Sequence, residues 1–243
     1  MAIGSQPRWT VRTADTQVGI DVGLREYMLR IYNYMASALA LTGIVAYVFA
    51  ESGMYLSIAR TPLIYVVMLA PLGLVMLLSF GINRLSAAAA QGIFWLYAGL
   101  MGLSLSTVFL YFQLGSIARV FFITAGTFAA MSLYGYTTRR DLTRMGAFMY
   151  MGLIGIVLAT LVNMVLAMFG VASSALQFAI SVIGVIVFVG LTAYDTQSIK
   201  ESYYEADGHE IAGKKAVMGA LRLYLDFVNL FMMLLQLVGV RRD

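Results

Sequence analysis

Long apolar segments separated by short polar connections dominate this sequence. Seven such segments occur, each about as long as a membrane-crossing helix requires. They are Ile31–Ala50, Pro62–Gly81, Ala88–Phe112, Ile117–Tyr136, Met145–Phe169, Ala175–Tyr194 and Val217–Val240. A transmembrane helix needs about 20 apolar residues, whereas a membrane β-strand needs only about 9–11 in an alternating pattern. The pattern therefore predicts an all-α, polytopic membrane protein with seven transmembrane helices.

The polar stretches predict the organisation of the chain. Residues 1–30 mix charged and polar side chains without the apolar core of a secretory signal, so they are expected to form a short N-terminal tail. Residues 31–243 then form one transmembrane domain. The connection Gly170–Ser174 is so short that the fifth and sixth helices must be antiparallel neighbours. The longest connection, Thr196–Ala216, is predicted to be a polar loop in which the single histidine, His209, is solvated.

Composition supports the membrane assignment and excludes several other classes. Hydrophobic residues make up 61% of the chain and charged residues 12%, whereas a soluble domain averages about 25% charged residues. The absence of cysteine excludes disulfides and cysteine-ligated metals. The net charge of +4 is better explained by membrane topology than by a nucleic-acid partner. The expected surroundings are the lipid bilayer.

Lysine and arginine are distributed unevenly between the two sides of the predicted bundle. With a cytoplasmic N-terminus, twelve lie at inner segment ends and four at outer ones. Cytoplasmic connections carry such an excess, so a cytoplasmic N-terminus is predicted. The excess does not decide whether the seventh segment spans, since a re-entrant segment would move Arg241 and Arg242 inside and increase it. The length of Val217–Val240 favours spanning, because about 1.5 Å per residue exceeds a core of roughly 30 Å.

Two aspartates are the most informative residues of the chain. Asp195, at the end of the sixth apolar stretch, and Asp226, inside the seventh, are the only acidic side chains set into the long apolar stretches. Such carboxylates are costly in a membrane and mark an ion path, a proton relay or a buried pair. Because the sixth and seventh helices run antiparallel, both should lie at similar depth near the cytoplasmic side, with Asp226 about two turns into its helix. Arg84 lies on the same side, so three ionisable groups are expected to converge.

Two close carboxyl groups in a poorly hydrated site have distinctive chemistry. They cannot both ionise cheaply, so they share a proton or take up a cation in its place. A calcium ion takes about 6–8 oxygens, and two aspartates supply at most four. Asn229 and Thr192 are candidates to modulate the site with further oxygens. The residues therefore suit a transient cation pathway at Asp195 and Asp226 better than a high-affinity metal cage, and no tightly bound cofactor is expected.

Alternatives to an ion path remain open at the level of sequence. Arg222 precedes Asp226 by one helical turn and can pair with it locally, which would make the aspartate structural. An intramembrane aspartyl protease also places two aspartates on neighbouring helices. However, Leu223–Leu225 before Asp226 lacks the glycine-rich approach of such enzymes. A serine intramembrane protease would need a histidine within an apolar segment, and none occurs. The chain is therefore not expected to be an enzyme.

The segments around both aspartates resemble a known family. GVIVFVGLTAYDTQSIK at Gly184–Lys200 and LYLDFVNLFMMLLQLVG at Leu223–Gly239 are similar to the two signature segments of the Bax inhibitor-1 (transmembrane Bax inhibitor motif) family, in its bacterial branch. Arg25–Gly43 and Arg119–Gly146 agree with the same family. The resemblance covers essentially all of the chain after residue 24.

This resemblance implies both an architecture and a function. It implies a seven-helix bundle with the last helix central, in the bacterial inner membrane. It further implies a pH-sensitive calcium leak channel, with Asp195 and Asp226 as di-aspartyl sensor and Arg84 as a latch to the sixth-helix aspartate. Arg222 departs from that pattern and would shift the pH response. Some bacterial relatives instead imply a regulator that binds a membrane-anchored ATP-dependent protease and carries no ion flux.

Overall fold

The computed structural model describes residues 22–171 and 173–242, which are almost entirely helical. The helices are α1 (Val22–Glu51), α2 (Met54–Ala59), α3 (Leu63–Gly81), α4 (Ala87–Tyr111), α5 (Leu114–Thr137), α6 (Thr143–Met168), α7 (Ser174–Glu201) and α8 (His209–Val238). All except the six-residue α2 are long and apolar enough to cross a membrane. The prediction of an all-α polytopic membrane protein is thus confirmed.

Each predicted segment corresponds to one long helix, and the N-terminal helix is longer than predicted. Helix α1 begins at Val22, so the last nine residues assigned to the polar tail are helical. This extension has an apolar side, because Tyr27 and Met28 are buried in the core. The remainder of the predicted tail, residues 1–21, lies outside the described residues.

The predicted loop between the last two long helices is mostly helical, which corrects the sequence interpretation. Helix α7 continues to Glu201 and α8 begins at His209, leaving residues 202–208 as the connection. The charged side chains of this region do not prevent helix formation, because apolar partners such as Ile199 and Ala216 are buried on the opposite sides of the same turns. His209 is exposed at the first position of α8 rather than in a loop.

The helices alternate in direction and define two ends of the bundle. The N-terminal end carries the connections 82–86, 138–142 and 202–208, and the opposite end carries 52–62, 112–113 and 169–173. Helix α8 connects the two ends. Near its start, the Ala87 N–H donates to Glu210 Oε1 at 2.7 Å, and after its end the Arg242 N–H donates to the Tyr111 carbonyl at 2.9 Å. These contacts lie at the two termini of α4, so the seventh segment crosses the bundle and is not re-entrant.

Helix α8 occupies the centre of the bundle. It packs against α1, α4, α5 and α7, and its side chains Leu223, Tyr224 and Leu230 are fully buried. The buried Tyr224 hydroxyl is hydrogen-bonded to Thr42 Oγ1 at 2.7 Å, which satisfies a polar group that would otherwise be costly in the core. The expectation of a central last helix is therefore confirmed.

Helix α7 is held against α5 at a glycine. A Cβ atom at position 135 would clash with the backbone oxygen of Ala193, at a separation that no side chain tolerates. Small residues permit such close approach between membrane helices. Gly135 therefore sets the position of the α7 turn that precedes Asp195.

Candidate functional site

Asp195 is buried in α7, and a tyrosine from α6 binds its carboxylate. Its side chain is only 3% exposed, and Tyr150 Oη donates to Oδ1 at 3.1 Å and to Oδ2 at 3.5 Å. The Tyr150 ring packs edge-on against the ring of Tyr194, with 6.0 Å between centroids. Tyr150 is a site residue that the sequence reasoning missed. Its only signal is a hydroxyl-bearing side chain inside an apolar segment, and a tyrosine there is ordinary.

Asp226 lies on α8 directly beside Asp195. It is 4% exposed, and its carboxyl group lies close enough to that of Asp195 for the two to interact. Its Oδ2 atom is buried and receives no hydrogen bond from any donor in the described part of the chain. A carboxylate cannot supply the missing donor unless it carries a proton. The convergence of the two aspartates expected from helix adjacency is therefore found.

The position of this pair along α8 differs from the sequence expectation. Asp226 was expected about two turns into its helix, but α8 begins at His209. Asp226 therefore lies roughly 26 Å along the helix axis from the first residue, at 1.5 Å per residue. The extra turns of α8 extend past the end of α7, where Lys215 Nζ donates to the Ser202 carbonyl at 2.9 Å.

Arg222 and Arg84 were both candidates to interact with the aspartates, and the structure places the two arginines in different positions relative to the pair. Arg222 on α8 acts electrostatically on Asp195, on Asp226 and on Tyr150. Its side chain is exposed, and the ion pairs found in residues 22–171 and 173–242 do not include it. The local pair with Asp226 that the one-turn spacing suggested is therefore not formed among the described residues.

Arg84 lies in the connection between α3 and α4 at the N-terminal end of the bundle. Its side chain is exposed, and within the described residues it forms no ion pair with Asp195. The structure thus places Arg84 at the expected end of the bundle but does not bring it to the carboxyl pair. Its role as a latch stays a prediction.

Thr192 and Asn229 hydrogen-bond within their own helices. Thr192 Oγ1 donates to the Phe188 carbonyl at 2.7 Å, and Asn229 Nδ2 donates to the Leu225 carbonyl at 2.8 Å. In the parts of the chain that the structure describes, no group of three or more His, Cys, Asp or Glu side chains could hold a metal ion. A cation at the pair would therefore take most of its oxygens from water or backbone.

The turn of α7 after Asp195 is hydrogen-bonded directly to α5 and to the 138–142 connection, and through α5 to α1. Thr196 Oγ1 is hydrogen-bonded to Ser132 Oγ on α5 at 3.0 Å, and Ser132 in turn to Tyr32 Oη on α1 at 2.6 Å. Gln197 Oε1 accepts from the Leu142 N–H of the 138–142 connection at 2.8 Å. A movement of Asp195 along this turn would therefore be transmitted to α1, α5 and that connection.

Comparison with known proteins places this site in a wider group. A family model described as "Inhibitor of apoptosis-promoting Bax1" matches residues 24–243. A protein of Rickettsia prowazekii is 48% identical over 96% of this chain and 98% of its own length. The inner membrane protein YbhL of Escherichia coli K12 is 46% identical over 94% of this chain and 97% of its own. A Deinococcus radiodurans protein is 43% identical over 90% of this chain and 92% of its own length. The family match includes both helices that carry the aspartates.

Proposed function

Because this chain belongs to the Bax inhibitor-1 family, we propose that it is a pH-sensitive calcium leak channel of a bacterial inner membrane. The multi-pass bundle would lie with its N-terminal end on the cytoplasmic side, as the lysine and arginine distribution indicates. In this proposal Asp195 and Asp226 sense pH and contact the permeating cation. Calcium is the transported ion and not a resident cofactor, and no catalytic step is involved.

One observation carries the proposal: the carboxyl groups of Asp195 and Asp226 are both buried and interact with each other, and Asp226 Oδ2 has no donor among the described residues. Two unit charges about 4 Å apart interact by roughly 4 kcal/mol at an effective dielectric of 20. Such repulsion is removed when the pair binds one proton or one cation. The site therefore suits a group that exchanges protons for cations as the pH changes.

Gating would follow from the charge of the pair. Ionised carboxylates attract the nearby cationic side chains, whereas protonated ones do not. Protonation would therefore weaken the hold of Arg84 on Asp195 in the latched state and free the α3–α4 end of the bundle from α7. In the structure Arg84 is not paired with Asp195, which is the arrangement expected of an unlatched state. We therefore expect calcium flux to rise as the pH falls through the titration of the pair.

Calcium flux into proteoliposomes tests this function. The protein is reconstituted with an entrapped calcium dye, and flux is recorded across a pH series for the wild type, Asp195→Asn and Asp226→Asn. Each variant should lose the pH dependence. Glu205→Gln, which removes an exposed carboxylate on the 202–208 connection, is the matched control and should behave as wild type. Wild-type pH dependence in both aspartate variants would refute the sensor assignment.

The alternative function predicts a different result in the same preparation. A regulator of a membrane-anchored ATP-dependent protease would carry no flux at any pH, and the protease would co-purify with it. Its contact surface would include the exposed charged side chains of the connections at the N-terminal end, such as Arg139 and Arg140. Absent flux together with a co-purifying ATPase would replace the channel proposal with this one.

A further inference from the structure

A deep groove separates α1 from α5 on the membrane-facing side of the bundle. Its main cavity has a volume of about 960 Å³, and a second cavity of about 260 Å³ continues it towards the opposite end. Leu39, Phe121 and Phe227 line both cavities, so the two adjoin each other along the helices. Phe227 on the central helix α8 forms its floor. Leu29 and Leu133 on the walls are exposed, so the groove is open to lipid.

The polar side chains of this groove are concentrated at the N-terminal end. Arg25 lies in the first turn of α1 and Tyr136 in the last turn of α5, and both line the main cavity there. Arg25 is exposed and forms no ion pair with the residues that the structure describes. Deeper in the cavity the lining is apolar beyond the hydrogen-bonded Tyr32 and Ser132. A ligand that fits would carry a negative charge at one end and a hydrocarbon chain at the other.

We propose that the groove between α1 and α5 binds an anionic phospholipid, with one acyl chain along the groove and its phosphate at Arg25. The lining from Arg25 to Ala40 on α1 spans roughly 22 Å at 1.5 Å per residue. This length exceeds the hydrocarbon depth of a single leaflet, which is half of a core of about 30 Å. Guanidinium groups bind phosphate oxygens in bidentate geometry, so Arg25 is the group that selects an anionic headgroup.

This lipid site would adjoin the carboxyl pair without including it. Phe227 directly follows Asp226, and Ser132 is hydrogen-bonded to Thr196, the residue after Asp195. A bound acyl chain would therefore pack behind both aspartate-bearing turns. The inference does not depend on ion flux, and its test measures lipid binding alone.

Native mass spectrometry of the purified protein tests the site. Phosphatidylglycerol and phosphatidylcholine with identical acyl chains are added in detergent, and the retained lipid is counted. The wild type should retain phosphatidylglycerol preferentially. Arg25→Gln should lower that retention about fivefold, as expected for one cation beside an anionic headgroup. Arg30→Gln removes an exposed arginine of the same helix that does not line the groove, and it should retain the lipid as wild type does.

A second pair of variants tests the apolar part of the groove. Ala129→Trp fills the cavity from α5 and should reduce retention of both lipids, whereas Ala130→Trp places the same bulk outside the lining and should not. Equal retention of both lipids by the wild type, or equal phosphatidylglycerol retention by Arg25→Gln and Arg30→Gln, would overturn the proposal. A dimer mass that Ala129→Trp abolishes would overturn it as well, because the occupant would then be a second copy of the chain.

Discussion

The hydroxyl group of Tyr150 on α6 donates to both carboxylate oxygens of Asp195 on α7, at 3.1 Å and 3.5 Å. Helix α6 is otherwise peripheral, with exposed side chains such as Phe148 and Met151. Tyr150 is itself 39% exposed, yet its hydroxyl reaches the buried carboxyl pair. A helix at the edge of the bundle therefore takes part in the chemistry at its centre.

Tyr150→Phe should displace the pH response of calcium flux to higher pH. The hydroxyl donates to the ionised carboxylate, and a hydrogen bond to a charged group contributes about 1.5–3 kcal/mol. Its loss makes protonation of the pair easier, which moves the flux midpoint up by about one to two pH units. The flux–pH curve measures this shift. Tyr134→Phe, on an exposed tyrosine of α5, is the control, and an unchanged midpoint in Tyr150→Phe would contradict the assignment.

Arg222 and Arg84 should have separable effects on flux. Arg222 carries a positive charge one helical turn before Asp226, and a nearby positive charge favours ionised carboxylates, so Arg222→Gln should shift the flux midpoint upward. Arg84 lies on the α3–α4 connection, so Arg84→Gln should remove the latch and raise flux at high pH while leaving the midpoint in place. Flux curves for both variants in one lipid composition distinguish the two. Identical curves would show that the arginines share one role.

Gly135→Ala should destabilise the bundle. The added Cβ would meet the Ala193 backbone oxygen, and overpacking of this kind costs about 1–3 kcal/mol. Gly126→Ala is the matched control on the same helix, since nothing lies within 4 Å of its Cβ position. Replacing glycine by alanine in an open helical position stabilises by about 0.5–1 kcal/mol. Thermal unfolding in detergent should therefore move the two midpoints in opposite directions, and a rise in both would contradict the close approach.

Asp141 gives a pH dependence outside the membrane helices. The Thr143 hydroxyl and the Thr143 N–H, the latter at 2.8 Å from Oδ1, hold the pKa of the Asp141 carboxyl below its ordinary value of 3.8. A carboxyl group whose pKa is lowered by folding stabilises the folded state at any pH above its pKa in the unfolded chain. This stabilisation is lost as the pH falls through its pKa in the folded protein. The melting temperature difference between wild type and Asp141→Ala should therefore be present at neutral pH and disappear below the folded pKa.

Asparagine at position 141 is the control for this measurement. Asp141→Asn keeps an oxygen acceptor for the Thr143 N–H but cannot ionise. Asp141→Asn should therefore retain part of the stabilisation at neutral pH, and the retained part should not change on acidification. If the difference in melting temperature between wild type and Asp141→Ala persisted unchanged at low pH, it would contradict a role for the ionised carboxylate.

The helices and the aspartate pair could be predicted from the sequence for physical reasons. The same reasons explain which other features could not be predicted. Apolar length determines which segments can span a membrane, and antiparallel adjacency brings Asp195 and Asp226 together. Charge density is a poor guide to helix ends, so residues 196–201 and 209–216 were assigned to a loop although their buried sides continue α7 and α8. Tyr150 had no distinguishing pattern. Arg84 was placed at the correct end of the bundle, but topology does not determine its distance from Asp195.

The central position of α8 also constrains the biosynthesis of the protein. Helix α8 follows in the chain every helix against which it packs, so α1, α4, α5 and α7 leave the ribosome first. Until α8 enters the membrane, the surfaces that these helices later bury have no partner, and Asp195 has no second carboxyl group beside it. The two-carboxyl site therefore comes into existence only with the final insertion step, and a partly synthesised chain lacks it.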